Sequence, residues 1–352
     1  MARRLLWASL ALAPLTLLLD VVAPPGNVVL FVLSATSLVP LAWLIGEATE
    51  HAARHTGPRI GGLLNASFGN APELIIALLA IGDSLPNVVR GSLAGSVVSN
   101  ILLVLGAALV FGPDRVPLDR RSLTIQLTLV AAAVLALLVP SIPGFHGDPE
   151  RRSLAVLGIL PCAVLLILYL VVTTVGVRGG ERPNEEEEEA GTWSLRVAVV
   201  ALAVATVLTA LVSELLVHSL EDFARAAHLT DFFIAIVIVA IVGNAAEHGG
   251  AVVIARRGKM KLASEIAISS SAQVGLFVTP VVALLSFAFA HPLTLAFRPL
   301  ELAAMGGAAA GVAFVIRDGR ARRWEGALLI GVYAVLVVVF GLADDRSVHH
   351  IG

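Results

Sequence analysis

Apolar runs, each about as long as the roughly 20 residues a helix needs to cross a bilayer, recur along the whole chain. Short polar stretches separate them. The pattern predicts eleven spans, at about 5–22, 28–53, 59–82, 88–111, 121–140, 153–176, 194–219, 231–255, 262–288, 295–316 and 325–342. The fold class is therefore an all-α polytopic membrane protein. The third and eighth runs carry an interruption, Gly69-Asn70-Ala71-Pro72-Glu73 and Gly243-Asn244-Ala245-Ala246-Glu247. Arg3 and Arg4 before Leu5–Val22 also fit a signal peptide. Pro24 directly after the small residue Ala23 makes a poor cleavage site, so residues 1–25 are expected to remain as an N-terminal transmembrane helix.

The two interruptions belong to a repeat. A shift of 174 residues places Gly69, Asn70 and Glu73 on Gly243, Asn244 and Glu247, Glu47 on Glu221, and Thr56 on Thr230. The next span matches to within one residue, Ser96-Val97-Val98-Ser99-Asn100 against Ser269-Ser270-Ser271-Ala272-Gln273. Residues 26–177 and 194–343 thus read as two copies of five spans. Five is odd, so the copies insert with opposite orientation, and inverted repeats with broken helices place a substrate at the bilayer midplane.

Charge fixes the direction. With the N-terminus in the cytosol, 18 of the 24 Lys and Arg residues fall on the inside; Arg90, Arg151, Arg152, Arg225, Arg298 and Arg346 are the six outside. The C-terminal tail, 344–352, is then outside. Composition agrees with the membrane class: 57% hydrophobic, 14% charged against the about 25% of soluble domains, and mean hydropathy +0.90. The near-neutral net charge of −2 offers nothing to a nucleic acid. One polar linker, 178–193, joins the repeats on the cytosolic side and carries Glu185, Glu186, Glu187, Glu188 and Glu189. It reads either as a solvated flexible run or as a cation-gathering or regulatory element.

The broken helices carry the chemistry. A carboxylate in hydrocarbon costs about 2.5–3.5 kcal/mol on insertion scales, so Glu73 needs a function. Pro72 cannot donate a backbone hydrogen bond, which is expected to free the carbonyl of Phe68, and Gly69 loosens the same turn. The inverted repeat brings Glu73 and Glu247 to similar depth. Like charges held close disfavour joint ionisation, so the pair either holds a divalent cation or takes up protons. The expected cation ligands are Glu73, Glu247, Asn70 and Asn244, with backbone at Gly69 and Gly243. Such hard oxygens suit Ca²⁺ rather than a soft metal. Ca²⁺ here is cargo, and no cofactor is expected. Nor does the pattern hold an HExxH, serine–histidine or paired-aspartate set, so an enzyme is not expected.

Other polar residues fall around this pair. His248 reads equally as a proton relay beside Glu247 and as an interhelical hydrogen-bonding residue. Ser99, Asn100 and Gln273 either complete the site or join helices. Glu47 and Glu50 near the inside, and Glu221 and Asp222 near the outside, are ion-path candidates or ordinary interfacial charges. His51 and His55, four apart, read as a surface pair. The pairs Gly91/Gly95 and Gly307/Gly311 predict close helix packing. Cys162, the single cysteine, reads as a buried thiol.

Gly69–Glu73 and Gly243–Glu247 resemble the two signature repeats of the cation/proton exchanger (CAX) family of the calcium/cation antiporter superfamily. The resemblance runs from about Leu38 to Leu342. It takes in Gly61-Gly62-Leu63-Leu64-Asn65, Ser99-Asn100, the central acidic run and Ser269–Gln273. It implies an extra N-terminal helix before five plus five inverted spans. It also implies exchange of cytosolic Ca²⁺ for protons, with Glu73 and Glu247 as ligands and proton carriers. Sodium-coupled relatives tend to carry hydroxyl residues where this chain has Asn70 and Asn244, which argues for protons. A sodium-coupled calcium exchanger and a passive cation channel are the alternatives. The expected location is a bacterial cytoplasmic membrane.

Overall fold

An apolar chain in lipid must satisfy its own backbone, and a helix does so within each segment. The computed structural model describes residues 2–179 and 193–343. The linker glutamates Glu185–Glu189 and the tail 344–352 lie outside the described residues. In chain order the helices are α1 (Ala2–Ser9), α2 (Leu12–Val22), α3 (Asn27–Gly69), α4 (Ala71–Gly82), α5 (Pro86–Val98), α6 (Leu105–Phe111), α7 (Arg120–Gly144) and α8 (Arg152–Gly179) in the first half. The second half holds α9 (Leu195–Ala227), α10 (Asp231–Phe233), α11 (Ala240–Gly243), α12 (Ala245–Arg256), α13 (Met260–Gln273), α14 (Thr279–Leu285), α15 (Pro299–Val315) and α16 (Arg323–Leu342).

Among the described residues nine helical stretches are long and apolar enough to cross a membrane, and a tenth arises if the bent pair Asp231–Gly243 and Ala245–Arg256, angled at 57°, is one span. The eleven expected spans differ at one place. The hydropathy pattern separates spans two and three, 28–53 and 59–82, but the helical backbone of α3 runs unbroken for 43 residues across the gap. A proline bends a helix without necessarily ending it. The break falls within the expected motif, at Asn70 with φ −100° and ψ 18°, and its repeat mate Asn244 breaks the chain almost identically at φ −96° and ψ 16°.

Leu160 and Ile167 on α8 and Val200 and Val207 on α9 are among the exposed large apolar side chains, as a lipid-facing surface requires. Inside, the first helices of the two repeats, α3 and α9, lie together. Phe31 stacks on Phe223 with ring centres 4.2 Å apart. Farther along α3 His51 stacks on Trp193 at 4.7 Å, and the His55 ring meets the Trp193 carbonyl at 2.8 Å. His51 is therefore buried between α3 and the start of α9, not on the surface. Trp7 completes this aromatic cluster, edge-on to Trp43 at 5.4 Å. Two two-residue strands, β1 (Val116–Pro117) and β2 (Arg320–Ala321), pair antiparallel and tie the loop before α7 to the loop before α16.

Gly91 and Gly95 do sit at a helix crossing. A π-helical stretch, Ile234–Val239, passes so close to α5 that a Cβ on Gly95 would lie 2.0 Å from the Ile236 carbonyl oxygen and 2.8 Å from the Ala240 Cβ. Gly95→Ala is expected to destabilise the protein by about 3 kcal/mol, the upper end of ordinary overpacking costs, because the obstacle is backbone. Thermal unfolding in detergent checks this, with Gly307→Ala as control. Gly307 and Gly311, expected at a crossing, meet nothing within 4 Å. They are carried on α15 without a helix opposite them among the described residues.

Arg90, expected among outside surface charges, is 1% exposed. Its guanidinium reaches Glu150 at 2.5 Å, Asn87 at 2.8 Å, and the Thr294 carbonyl and hydroxyl at 3.1 and 3.0 Å. This ties the N-terminal end of α5 to the loop before α8 and to the extended segment before α15.

Candidate ion-exchange site

Each half of the site is made by a helix that stops at an asparagine and restarts. Asn70 precedes α4 and Asn244 precedes α12, so Glu73 and Glu247 each sit in a first helical turn. The positive end of the helix dipole favours negative charge there. The Phe68 carbonyl, expected to be free, instead accepts the Asn70 backbone N–H.

The two motifs meet. A Cβ placed on Gly243 would lie 3.4 Å from Glu73 Cγ and 3.6 Å from its carboxyl carbon and Oε1. Glu73 is 7% exposed, and neither of its carboxyl oxygens has a hydrogen-bond partner among the described residues. Glu247 is half-buried. A buried carboxylate with no donor is held only if a cation or a proton neutralises it.

The asparagines are clasped across the repeats. Asn70 donates to Gln273 at 2.9 Å. Asn244 accepts from Asn100 at 3.1 Å and donates to the Ser96 hydroxyl and the Ala240 carbonyl, both at 2.8 Å. Asn100 also donates to Ser270 at 3.0 Å, and its oxygen faces His248 Nε2 at 3.0 Å. Asn100 and Gln273 are thus brought to the site. Both lie at repeat-equivalent π-helical turns, Asn100 within Ser99–Val104 and Gln273 just before Val274–Val278, a distortion frequent at functional sites. Ser99 is not brought to the clasp: its hydroxyl bonds its own helix at the Ser96 carbonyl, 3.3 Å away. Ser96 and Ser270 lie in the matched segments of the repeat, and their position one turn before Asn100 and Gln273 is the signal that singles them out.

Glu221 and Asp222 line a cavity. With Asn27, Asp83, Leu85, Val217 and His218 they border an open cavity of about 380 Å³. Asp222 accepts from Asn27 and pairs with Arg225 at 3.2 Å. Asp83 and His218 were not read as site residues, although both end apolar runs beside those acids. At the other end Glu47 lies 3.7 Å from His51, and exposed Glu50 pairs with Arg54 at 2.6 Å. Among the described residues no group of three His, Cys, Asp or Glu forms a further metal site.

Two half-helices meeting carboxyl to backbone across a repeat define a membrane carrier of the inverted-repeat class. The chain belongs to the sodium/calcium exchanger protein family, whose model matches residues 26–177 and 197–342. It is 38% identical over 328 residues to the Ca²⁺/H⁺ antiporter ChaA of Bacillus subtilis (strain 168), covering 90% of this chain and 93% of that one. It is 36% identical over 323 residues to the vacuolar calcium ion transporter of Schizosaccharomyces pombe (strain 972), covering 88% and 78%. The solved structure of native YfkE matches with a TM-score of 0.82 at 32% identity, over 97% of this chain and all of that one. The resemblance to the cation/proton exchangers is borne out.

Proposed function

We propose that this protein is a secondary active antiporter that exports cytosolic Ca²⁺ in exchange for protons. The observation that carries this reading is Glu73, buried against Gly243 with no hydrogen-bond donor to either oxygen. Ca²⁺ neutralises the Glu73–Glu247 pair, or two protons do, and the two fillings exclude each other. The site cannot cross empty at low cost, because two bare carboxylates would face hydrocarbon. Exclusion plus that penalty makes exchange obligatory. Two carboxyls imply two protons per Ca²⁺ at this site. The relatives named as Ca²⁺/H⁺ antiporters support protons as the coupling ion.

The excess of Lys and Arg on one side supports a cytosolic N-terminus and an outside C-terminus in a bacterial cytoplasmic membrane. Ca²⁺ then enters past Glu47 and Glu50 and leaves through the cavity lined by Glu221, Asp222 and Asp83. Domain organisation follows the repeat, with 1–25 as an added helix, 26–177 and 194–343 as the halves, and 178–193 as the acidic cytosolic linker. The protein performs transport, not catalysis, and its partners are Ca²⁺, H⁺ and the bilayer.

Purified protein in liposomes tests this. An imposed pH gradient, with no Na⁺ present, is expected to drive Ca²⁺ uptake into the acidic lumen. Lowering pH on the Ca²⁺-loading side is expected to weaken Ca²⁺ capture, since protons fill the same carboxyls. Uptake driven by a Na⁺ gradient without a pH gradient overturns proton coupling. Ca²⁺ flux indifferent to opposing protons points to a channel.

A further inference from the structure

The two halves of the site share Gly-Asn-x-x-Glu, yet the hydrogen bond between each motif asparagine and the amide at the other repeat's π-helical turn runs in opposite directions. In the first half the motif asparagine is the donor, Asn70 Nδ2 to Gln273 Oε1. In the second it is the acceptor, Asn244 Oδ1 from Asn100 Nδ2. The direction in the second half follows from elementary chemistry. The Ala240 carbonyl only accepts, so the Asn244 atom 2.8 Å from it is the amide nitrogen. Asn244 therefore turns its oxygen to Asn100, and Asn100 must present its nitrogen. The oxygen of Asn100 is then the atom 3.0 Å from His248 Nε2, and an oxygen there requires that Nε2 carry hydrogen.

The chain of donors thus begins at His248 and ends at Ala240, with side branches to Ser270 and Ser96. The repeat mate of His248 is Leu74, which has no donor to offer. Asn100 and Asn244 are both fully buried, so water does not replace a lost partner.

We infer that His248 is a positioning residue for cation exchange: its Nε2–H is the terminal donor that holds Asn100, and through it Asn244, in one orientation beside Glu247. The inference rests on the exchange reading above for its transport consequences, but not for its geometry. His248 acts through Asn100 on the second half-site. It distinguishes the two halves, which differ in wiring although their motifs match.

The test compares His248→Leu, which copies the first repeat, with His248→Gln, whose amide nitrogen donates but does not titrate. His248→Leu is expected to raise the Ca²⁺ concentration for half-maximal transport about tenfold, the factor for one buried hydrogen bond, with a smaller fall in maximal rate. His248→Gln is expected to recover most of that affinity and keep the wild-type pH profile. A third reading is the ¹⁵N spectrum of histidine-labelled wild-type protein in detergent. The signal missing from the His248→Gln spectrum is expected to be a ring protonated at Nε2. If His248→Gln is as impaired as His248→Leu, or moves the pH profile, His248 relays protons and the inference fails. It also fails if both variants transport like wild type, or if the ring carries its hydrogen at Nδ1 alone. If wild-type protein shows no exchange at all, the exchange reading fails while the spectrum still decides the wiring.

Discussion

Glu73→Gln is expected to abolish Ca²⁺/H⁺ exchange while leaving the protein folded. The amide has the volume of the neutral acid, and a neutral side chain is one the site already tolerates in its protonated form. What it lacks is the charge that a Ca²⁺ ion needs in a site with few other strong ligands. Removing one partner of a buried charge pair costs about 3–5 kcal/mol, a factor of about 10²–10⁴ in ion affinity. Glu247→Gln is expected to have the same outcome, since two carboxyls set the neutral fillings of the site. Glu73 is the more enclosed of the two and has no donor near its oxygens, so its variant is expected to be the more severe. Ca²⁺ uptake into liposomes under an imposed pH gradient measures both, with thermal unfolding as the control for folding. If either single variant keeps wild-type exchange, the two-carboxyl mechanism is wrong.

The pair was legible in the sequence because a charge inside an apolar run is an anomaly, and an anomaly that returns after 174 residues is a design. The repeat also pointed to Asn100 and Gln273, since their segments matched. The direction of the hydrogen bonds was not legible. Asn70 and Asn244 are the same residue in the same motif, yet Asn70 donates to Gln273 whereas Asn244 accepts from Asn100, a direction that the Ala240 carbonyl and the His248 ring fix only in the folded chain. Glycine pairs misled for a related reason. Gly91/Gly95 and Gly307/Gly311 have the same spacing, but only the former has a helix opposite it among the described residues. Spacing says which residues share a face, not what lies against that face. The breaks at Asn70 and Asn244 were legible, because glycine and asparagine interrupt an apolar run twice at the repeat spacing, whereas the unbroken helix through residues 54–58 was not, because a polar stretch there looks like a loop.

Arg90 is the clearest case of a residue whose role the sequence concealed. Counted with the basic residues at the end of an apolar run, it is expected to face water, yet its side chain is 1% exposed while that of its partner Glu150 is 39% exposed. That difference makes a ranked prediction. Glu150→Ala leaves a guanidinium buried without an anion, and arginine does not shed its proton. The expected loss is about 3–5 kcal/mol. Arg90→Met fills the same space with an apolar chain of similar length. It strands Glu150, but that carboxylate is already part-exposed and can turn to water, so the expected loss is smaller, about 1–2 kcal/mol, mostly from the Thr294 carbonyl left without its donor. The double variant is expected to be more stable than Glu150→Ala alone, because it removes the orphaned charge. Thermal unfolding of the three variants in detergent ranks them. Equal losses in both single variants would mean that the pair contributes through packing and not through the buried charge. Because α5 carries Ser96 and leads into Asn100, transport by Glu150→Ala is also expected to fall. The loss follows from an unanchored N-terminal end of that helix, and Arg90→Met added to Glu150→Ala is expected to restore part of it.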